Sequence, residues 1–275
     1  MKKSLSEKTR KAELSAPLRA LYTFLAVCFW VLVWFVFALI VNNELLLPSP
    51  LTVLRRLFEL AAQLSFYKSV GASIARILIG IIIAVVLGVL LAVITEHVEA
   101  MRIIIQPAMT LIKATPVASF ILLALVWISR TVIPAFIVVL IVLPIIWGSV
   151  SEGIRNLDRS TAEMLRLFRV PFFKRLRYFY IPSIAPYFRS ALLSSSGLAW
   201  KSGVAAEVLT VPTYAIGRML FESKQYLETV DLFAWTLAVI ILSYAIERIF
   251  SLMTGRSKRR DGAQTNTENG GGADD

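Results

Sequence analysis

Arg76, Lys201 and Glu207 are charged residues set inside stretches of sequence that otherwise read as hydrocarbon-facing. A charge at a helix centre in a bilayer costs roughly 2.5–3.5 kcal/mol on insertion scales, so such residues pair with one another or face a water-filled path. The chemistry open to them is electrostatic: an ion pair, or attraction of an oppositely charged solute. Little else on the chain could make or break bonds. There is one histidine, His97, and one cysteine, Cys28, with no metal-ligand spacing around either and no possible disulfide. AWKSG at 199–203 contains a Lys-Ser pair, but a phosphate-binding loop needs Gly directly before the Lys and another five residues before that Gly. Trp200 and Ser195 occupy those places. No catalytic residue, no metal site and no cofactor is expected on this chain.

The elements that hold these charges follow from composition. The 275 residues are 57% hydrophobic and 17% charged, more apolar and less charged than soluble domains. The basic N-terminus leads into an apolar run too long for a signal peptide and without a small-residue cleavage site. Six runs are expected to span as helices: 21–41, 70–95, 103–128, 131–151, 188–209 and 230–250. The third contains Gln106, Pro107, Lys113 and Pro116, which also allows a re-entrant segment, and Lys113 is expected near the cytoplasmic interface. The fold class is all-α, a polytopic membrane domain over 21–252. A basic cytoplasmic tail, 1–20, precedes it, and a polar, Gly-rich tail, 253–275, expected to be disordered, follows.

Six spans put both termini on one side, and the basic residues say which. That side holds Lys2, Lys3, Lys8, Arg10, Lys11, Arg19 and Arg102, then the basic residues from Arg155 to Arg189, and finally Arg248, Arg256, Lys258, Arg259 and Arg260. The other holds Arg55, Arg56, Lys68, Arg130, Arg218 and Lys224. This asymmetry predicts both termini in the cytoplasm of a multi-pass protein of the plasma (inner) membrane. It also accounts for most of the net charge of +11 without invoking nucleic acid. On the outside, LLLPSPLTVLRRLFELAAQL at 45–64 reads as a Pro-fixed turn and an amphipathic helix with Leu54, Leu57, Leu60 and Ala61 on one face.

One segment fits neither lipid nor water. TAEMLRLFRVPFFKRLRYFYIP, 161–182, lies in the cytoplasmic stretch 155–185 and spaces Leu165, Phe168, Phe172, Leu176 and Phe179 along one helical face. Pro171 predicts a break at Val170-Pro171, with a second helix ending before Pro182. Such a basic amphipath can lie on an anionic membrane or dock into a groove of a soluble partner.

The segment resembles the cytoplasmic coupling loop of the permeases of binding-protein-dependent ABC importers. Glu163 matches the Glu of that family's motif, and Ile181-Pro182 its end. Met164 and Leu165 stand where the family has Ala, and Arg169 where it has Gly. Further landmarks resemble the nitrate/sulfonate/taurine-type branch: LPSP at 47–50, Ser73 with Arg76 and Gly80, Pro107 with Lys113-Ala-Thr-Pro116, GLAWKSGVAAEVL at 197–209, and Ile216-Gly217.

The resemblance implies a type I ABC importer permease that binds no ATP itself. Glu163, Met164, Leu165, Phe168, Arg169, Val170 and Pro182 would contact a separate pair of ATPase subunits carrying ATP and Mg. A second permease copy, as a homodimer, would complete a central pathway, and an extracytoplasmic solute-binding protein would deliver solute to the outer face, including the 210–228 loop. Arg76 and Glu207 are expected at similar depth near the outer face, as an interhelical pair or with Arg76 snorkelling to the headgroups. Lys201 sits deeper on a helix of small residues that either packs closely or lines a polar path. In the second case a cation there would favour an anionic solute such as a sulfonate or nitrate. A self-contained secondary transporter is the alternative, disfavoured because Glu207, near a span end, is the acid the spans offer for ion coupling.

Overall fold

The computed structural model describes residues 16–255, with no strand among them. Both terminal tails, with the SKRR run at 257–260, lie outside the described residues.

In the long helix α1, Ala16–Val41, the stretch Leu21–Val41 carries no charge and is almost uncovered by the rest of the chain. Ser49 accepts from Thr52 N–H and caps α2, Pro50–Ala61, with Pro50 in the first turn where its missing N–H costs nothing. The buried side of α2 carries Val53 and Leu60, with Leu57 half-buried, while Leu54 is exposed. The expected apolar face is therefore rotated toward Val53, because α2 packs on the last helix and is tied to it by Arg56.

The core is three helices. These are α3, Leu64–His97, α6, Ile133–Arg155, and α9, Ile181–Thr210. Along α3 the buried residues Ser69, Ser73, Ile77, Gly80, Ala84, Gly88, Ala92 and Thr95 recur every three or four positions, with Ile81 beside them, a stripe of small and β-branched side chains facing α6 and α9. The approach is close enough that a Cβ on Gly80 would sit 2.7 Å from Ala135 O, and one on Gly203 2.6 Å from Ile77 Cγ1. Trp147 Nε1 donates to Thr95 Oγ1 at 3.0 Å across α6 and α3.

The third expected span is two helices. α4, Glu99–Ala114, and α5, Val117–Trp127, meet at Thr115-Pro116 with a bend of 106°. Pro116 disfavours helix at the residue before it, and Thr115 is extended there. At ~1.5 Å per residue neither piece alone covers ~30 Å of hydrocarbon. Among the described residues four helices are long and apolar enough to cross a membrane, and five if the bent pair counts as one span. The remaining expected span, α9, has 30 residues but is too polar to meet that standard; its buried Ser195, Ser196, Gly197 and Gly203 pack within the bundle, while Ser190 and Ser194 are exposed.

Between α6 and α9 lie α7, Arg159–Leu167, and α8, Phe172–Arg175. The second helix does not end before Pro182. It runs from α8 through a π-helical turn, Leu176–Tyr180, into α9, with Ile181 N–H donating to Leu176 O five residues back and Pro182 in the first turn of α9. Proline lacks the N–H that a regular turn would use, so a wide turn just before it spares a hydrogen bond. The expected 210–228 loop is also partly helical: α10, Ile216–Gln225, fills it and leads to α11, Thr229–Gly255.

Candidate functional site: a buried clamp and an exposed helix–turn

Glu207 is completely buried in α9, one turn from its end. Ser73 Oγ donates to its Oε2 at 2.7 Å, Arg76 Nε to Oε1 at 3.1 Å, and Gly217 N–H to Oε2 at 3.3 Å. The carboxylate is thus paired and hydrogen-bonded on both oxygens, the condition under which a buried charge is tolerated. Arg76 does not snorkel. Its remaining guanidinium nitrogens reach the carbonyls of Tyr214 at 2.5 Å and Thr213 at 3.5 Å. Ser73 Oγ also accepts from Ile216 N–H at 3.0 Å. Together these contacts fasten α3, α9, the 211–215 turn and the start of α10.

The turn itself is strained. Val211 has φ 49° and Tyr214 φ 49°, left-handed conformations that are unusual for a β-branched and an aromatic residue. Gly217 is required where it is, because any Cβ there would overlap Glu207 Cβ and the backbone of Val208. Arg76 and Glu207 stand out in the sequence as charges within spans, whereas Ser73, Tyr214 and Gly217 carry no such signal. Ser73 could have been found, since it lies three residues before Arg76 on the same helical face.

Lys201 lies six residues before Glu207, about 9 Å further along α9. It is exposed, on a face of α9 that this chain leaves uncovered, and has no ionic partner among the described residues. Lys113 is also exposed, and its Nζ would be 3.9 Å from a Cβ on Gly148. Gly148 is seven residues from Arg155 at the end of α6, about 10 Å along the helix axis.

The opposite end of the bundle carries α7. Twenty residues of α3 separate Arg76 from Glu96, about 30 Å along the axis, one hydrocarbon thickness. Asp158 caps α7, accepting from Ser160 N–H at 3.0 Å, Ser160 Oγ at 2.7 Å and Thr161 Oγ1. Those hydrogen bonds, Thr161 foremost, hold its carboxyl below the ordinary 3.8. The helix ends in a Schellman turn: Arg169 N–H donates to Arg166 O at 2.9 Å and Val170 N–H to Leu165 O at 3.1 Å, with Arg169 at φ 52°. The residue standing where the importer motif has Gly thus adopts the backbone that favours Gly.

That turn breaks the single apolar face expected over Leu165–Phe179. Leu165, Val170, Leu176 and Phe179 are half-buried, while Met164, Leu167 (83% exposed), Phe168 (74%), Phe172 and Phe173 (80%) project outward from the corner. Glu163 and Arg169 are exposed beside them, and Pro182 is exposed at the base of α9.

A bundle of membrane-length helices with such a corner between its fourth and fifth expected spans has the form of a transporter permease. The profile of the family described as binding-protein-dependent transport system inner membrane component matches residues 84–260, well over half of the chain, and the chain belongs to that family. It is a type I ABC permease, a multi-pass membrane protein of transport. A Bacillus subtilis (strain 168) protein carrying the provisional name aliphatic sulfonates transport permease protein SsuC is 19% identical over 196 residues, 70% of each chain.

Proposed function

We propose that this chain is the transmembrane subunit of an ATP-driven importer, working as a homodimer with a central solute pathway. Residues 155–185 couple it to a separate pair of ATPase chains, which carry the ATP and Mg, and a binding protein delivers solute at the outer end. The observation that carries the coupling is the protruding corner of Met164, Leu167, Phe168, Phe172 and Phe173. A helix lying on lipid keeps one continuous apolar face in the membrane plane. A corner split by a Schellman turn instead suits a groove on a soluble partner. Family membership supports the same partners.

The solute is proposed to be a small anion of the sulfonate or nitrate kind. Two exposed lysines, Lys113 and Lys201, on bundle faces that this chain leaves uncovered support it, as does the name of the Bacillus relative. Lipid contact would be costly for either lysine, so a polar path between two copies suits them better.

Purification from native membranes in mild detergent tests the coupling. A soluble ATPase should accompany the wild type and be lost from Glu163→Arg and Phe168→Asp. If no ATPase accompanies the wild type even after gentle crosslinking, residues 155–185 do not couple.

A further inference from the structure

Behind the exposed corner, on the side of α7 that faces the bundle, a cavity of about 1260 Å³ opens between the ends of α3 and α6, α7, the Schellman turn and the π-helical turn. Its charged lining is Arg155, Arg159, Arg166, Arg169 and Arg175 against one carboxylate, Glu96. Arg155 Nε lies 3.7 Å from Glu96 Oε1. The other four guanidiniums have no acidic partner among the described residues. Asp158, close in sequence, is occupied by Ser160 and Thr161 at the start of α7. Arg175 Nε is shielded from solvent and meets no acceptor.

Four like charges lining one cavity repel one another, screened by water at the exposed Arg159, Arg166 and Arg169, and the shielded Arg175 Nε carries the cost of an unmade hydrogen bond. An anion removes both penalties. Guanidinium forks match phosphate oxygens two at a time, which makes phosphate the best-fitting class. The rest of the wall is apolar, including Val93, Ile154 and Ile184, so an amphiphile is also accommodated. The volume exceeds the ~300–1,000 Å³ of an ordinary small-ligand pocket, leaving space for a headgroup with its water.

We propose that this cavity binds a phosphate-bearing anion, a phosphate monoester or diester, and that the bound anion ties α7 to the ends of α3 and α6. The site follows from the lining of the cavity and not from the importer reading, and its test reads binding rather than transport.

The full-length protein, delipidated in a neutral maltoside detergent, is titrated separately with inorganic phosphate, phosphatidylglycerol and, as a neutral control, phosphatidylcholine. Melting temperature by tryptophan fluorescence and adducts in native mass spectra are the readouts. A saturable rise with phosphatidylglycerol alone identifies a lipid headgroup, and one with inorganic phosphate identifies a soluble anion; either supports the proposal. Arg166→Gln/Arg175→Gln should weaken the response at least tenfold. Arg177→Gln, at a basic residue outside the cavity lining, should leave it unchanged. Should the glutamine pair not survive purification, Arg166→Lys/Arg175→Lys decides, since it keeps the charge but loses the fork and should weaken binding by about tenfold. No saturable response of the wild type, or an equal response in the variant pair and in Arg177→Gln, overturns the proposal.

Discussion

Arg76 and Glu207 stand 131 positions apart in sequence and meet at 3.1 Å in a site where the carboxylate has no solvent contact at all. Neither charge would be stable there alone. The geometry makes the pair a clamp: α3 supplies Ser73 and Arg76, α9 supplies Glu207, and the 211–215 turn supplies carbonyls and the N–H groups that follow it.

Removing one member of the clamp should cost more than removing both. Arg76→Met leaves an uncompensated buried carboxylate and is expected to destabilise by about 3–5 kcal/mol. Glu207→Gln combined with Arg76→Met removes both charges and should recover a large part of that loss. Thermal unfolding of the single and double variants in detergent gives the coupling directly. Losses in Arg76→Met and Glu207→Gln that simply add up to the loss of the double variant would mean that the pair is not coupled.

Close packing of the three core helices makes a graded prediction. Gly80→Ala drives a Cβ toward the backbone carbonyl of Ala135, which cannot move aside. Gly203→Ala meets Cγ1 of the buried Ile77, a side chain that must shift but gives way more readily than backbone. Gly71 has nothing within 4 Å. Melting temperature should therefore fall most for Gly80→Ala, by the equivalent of about 1–3 kcal/mol, less for Gly203→Ala, and hardly at all for Gly71→Ala.

Arg169 occupies a left-handed position at which an L-residue is strained by about 1–2 kcal/mol. Arg169→Gly should steady the turn between α7 and α8, and Arg169→Val should weaken it. The readout is hydrogen exchange over 159–175, slowed in the first variant and hastened in the second. Slower exchange in Arg169→Val than in the wild type would contradict the Schellman assignment.

The Asp158 cap has a pH signature with a definite sign. Its carboxyl is held below 3.8 by the Thr161 and Ser160 hydrogen bonds, so the folded segment favours the ionised form. That contribution is fully present above the ordinary carboxylate value and is lost as pH falls through the lower folded value. Proteolytic protection of α7 should be flat above about pH 4–5 and decline below it. Asp158→Ala should lower protection at neutral pH and flatten the acid limb.

The helical class and most helix positions were legible because apolar runs and prolines report local physics. What sequence periodicity missed depends on contacts made elsewhere. Leu54 and Val53 differ by one position, and only the packing of α2 against α11 selects Val53 as the buried one. The five apolar residues from Leu165 to Phe179 fit one helical face on paper, yet the left-handed Arg169 rotates the second half away from the first. The bend at Thr115-Pro116 was open in the sequence, which allowed a re-entrant segment, but its 106° angle was not. Among the charges, Arg76 and Glu207 could be paired from depth alone. Gly217 could not be tied to them, because it approaches Glu207 across a turn whose shape has no periodic signal.

Lys201 discriminates between a packing role and a pathway role for α9. If its exposed face looks onto lipid, the lysine is a burden, and Lys201→Met should raise the melting temperature without altering uptake. If that face lines a path for an anion, Lys201→Met should leave assembly intact while reducing uptake of a short-chain alkanesulfonate by at least tenfold, about 1.4 kcal/mol of lost attraction. Lys201→Arg should keep most of the activity, because it preserves the charge at nearly the same reach. The experiment uses proteoliposomes of the whole transporter, with uptake measured over a range of salt. A pathway charge also predicts that uptake of a neutral analogue of the same size changes little in Lys201→Met, whereas a packing defect would slow both solutes alike.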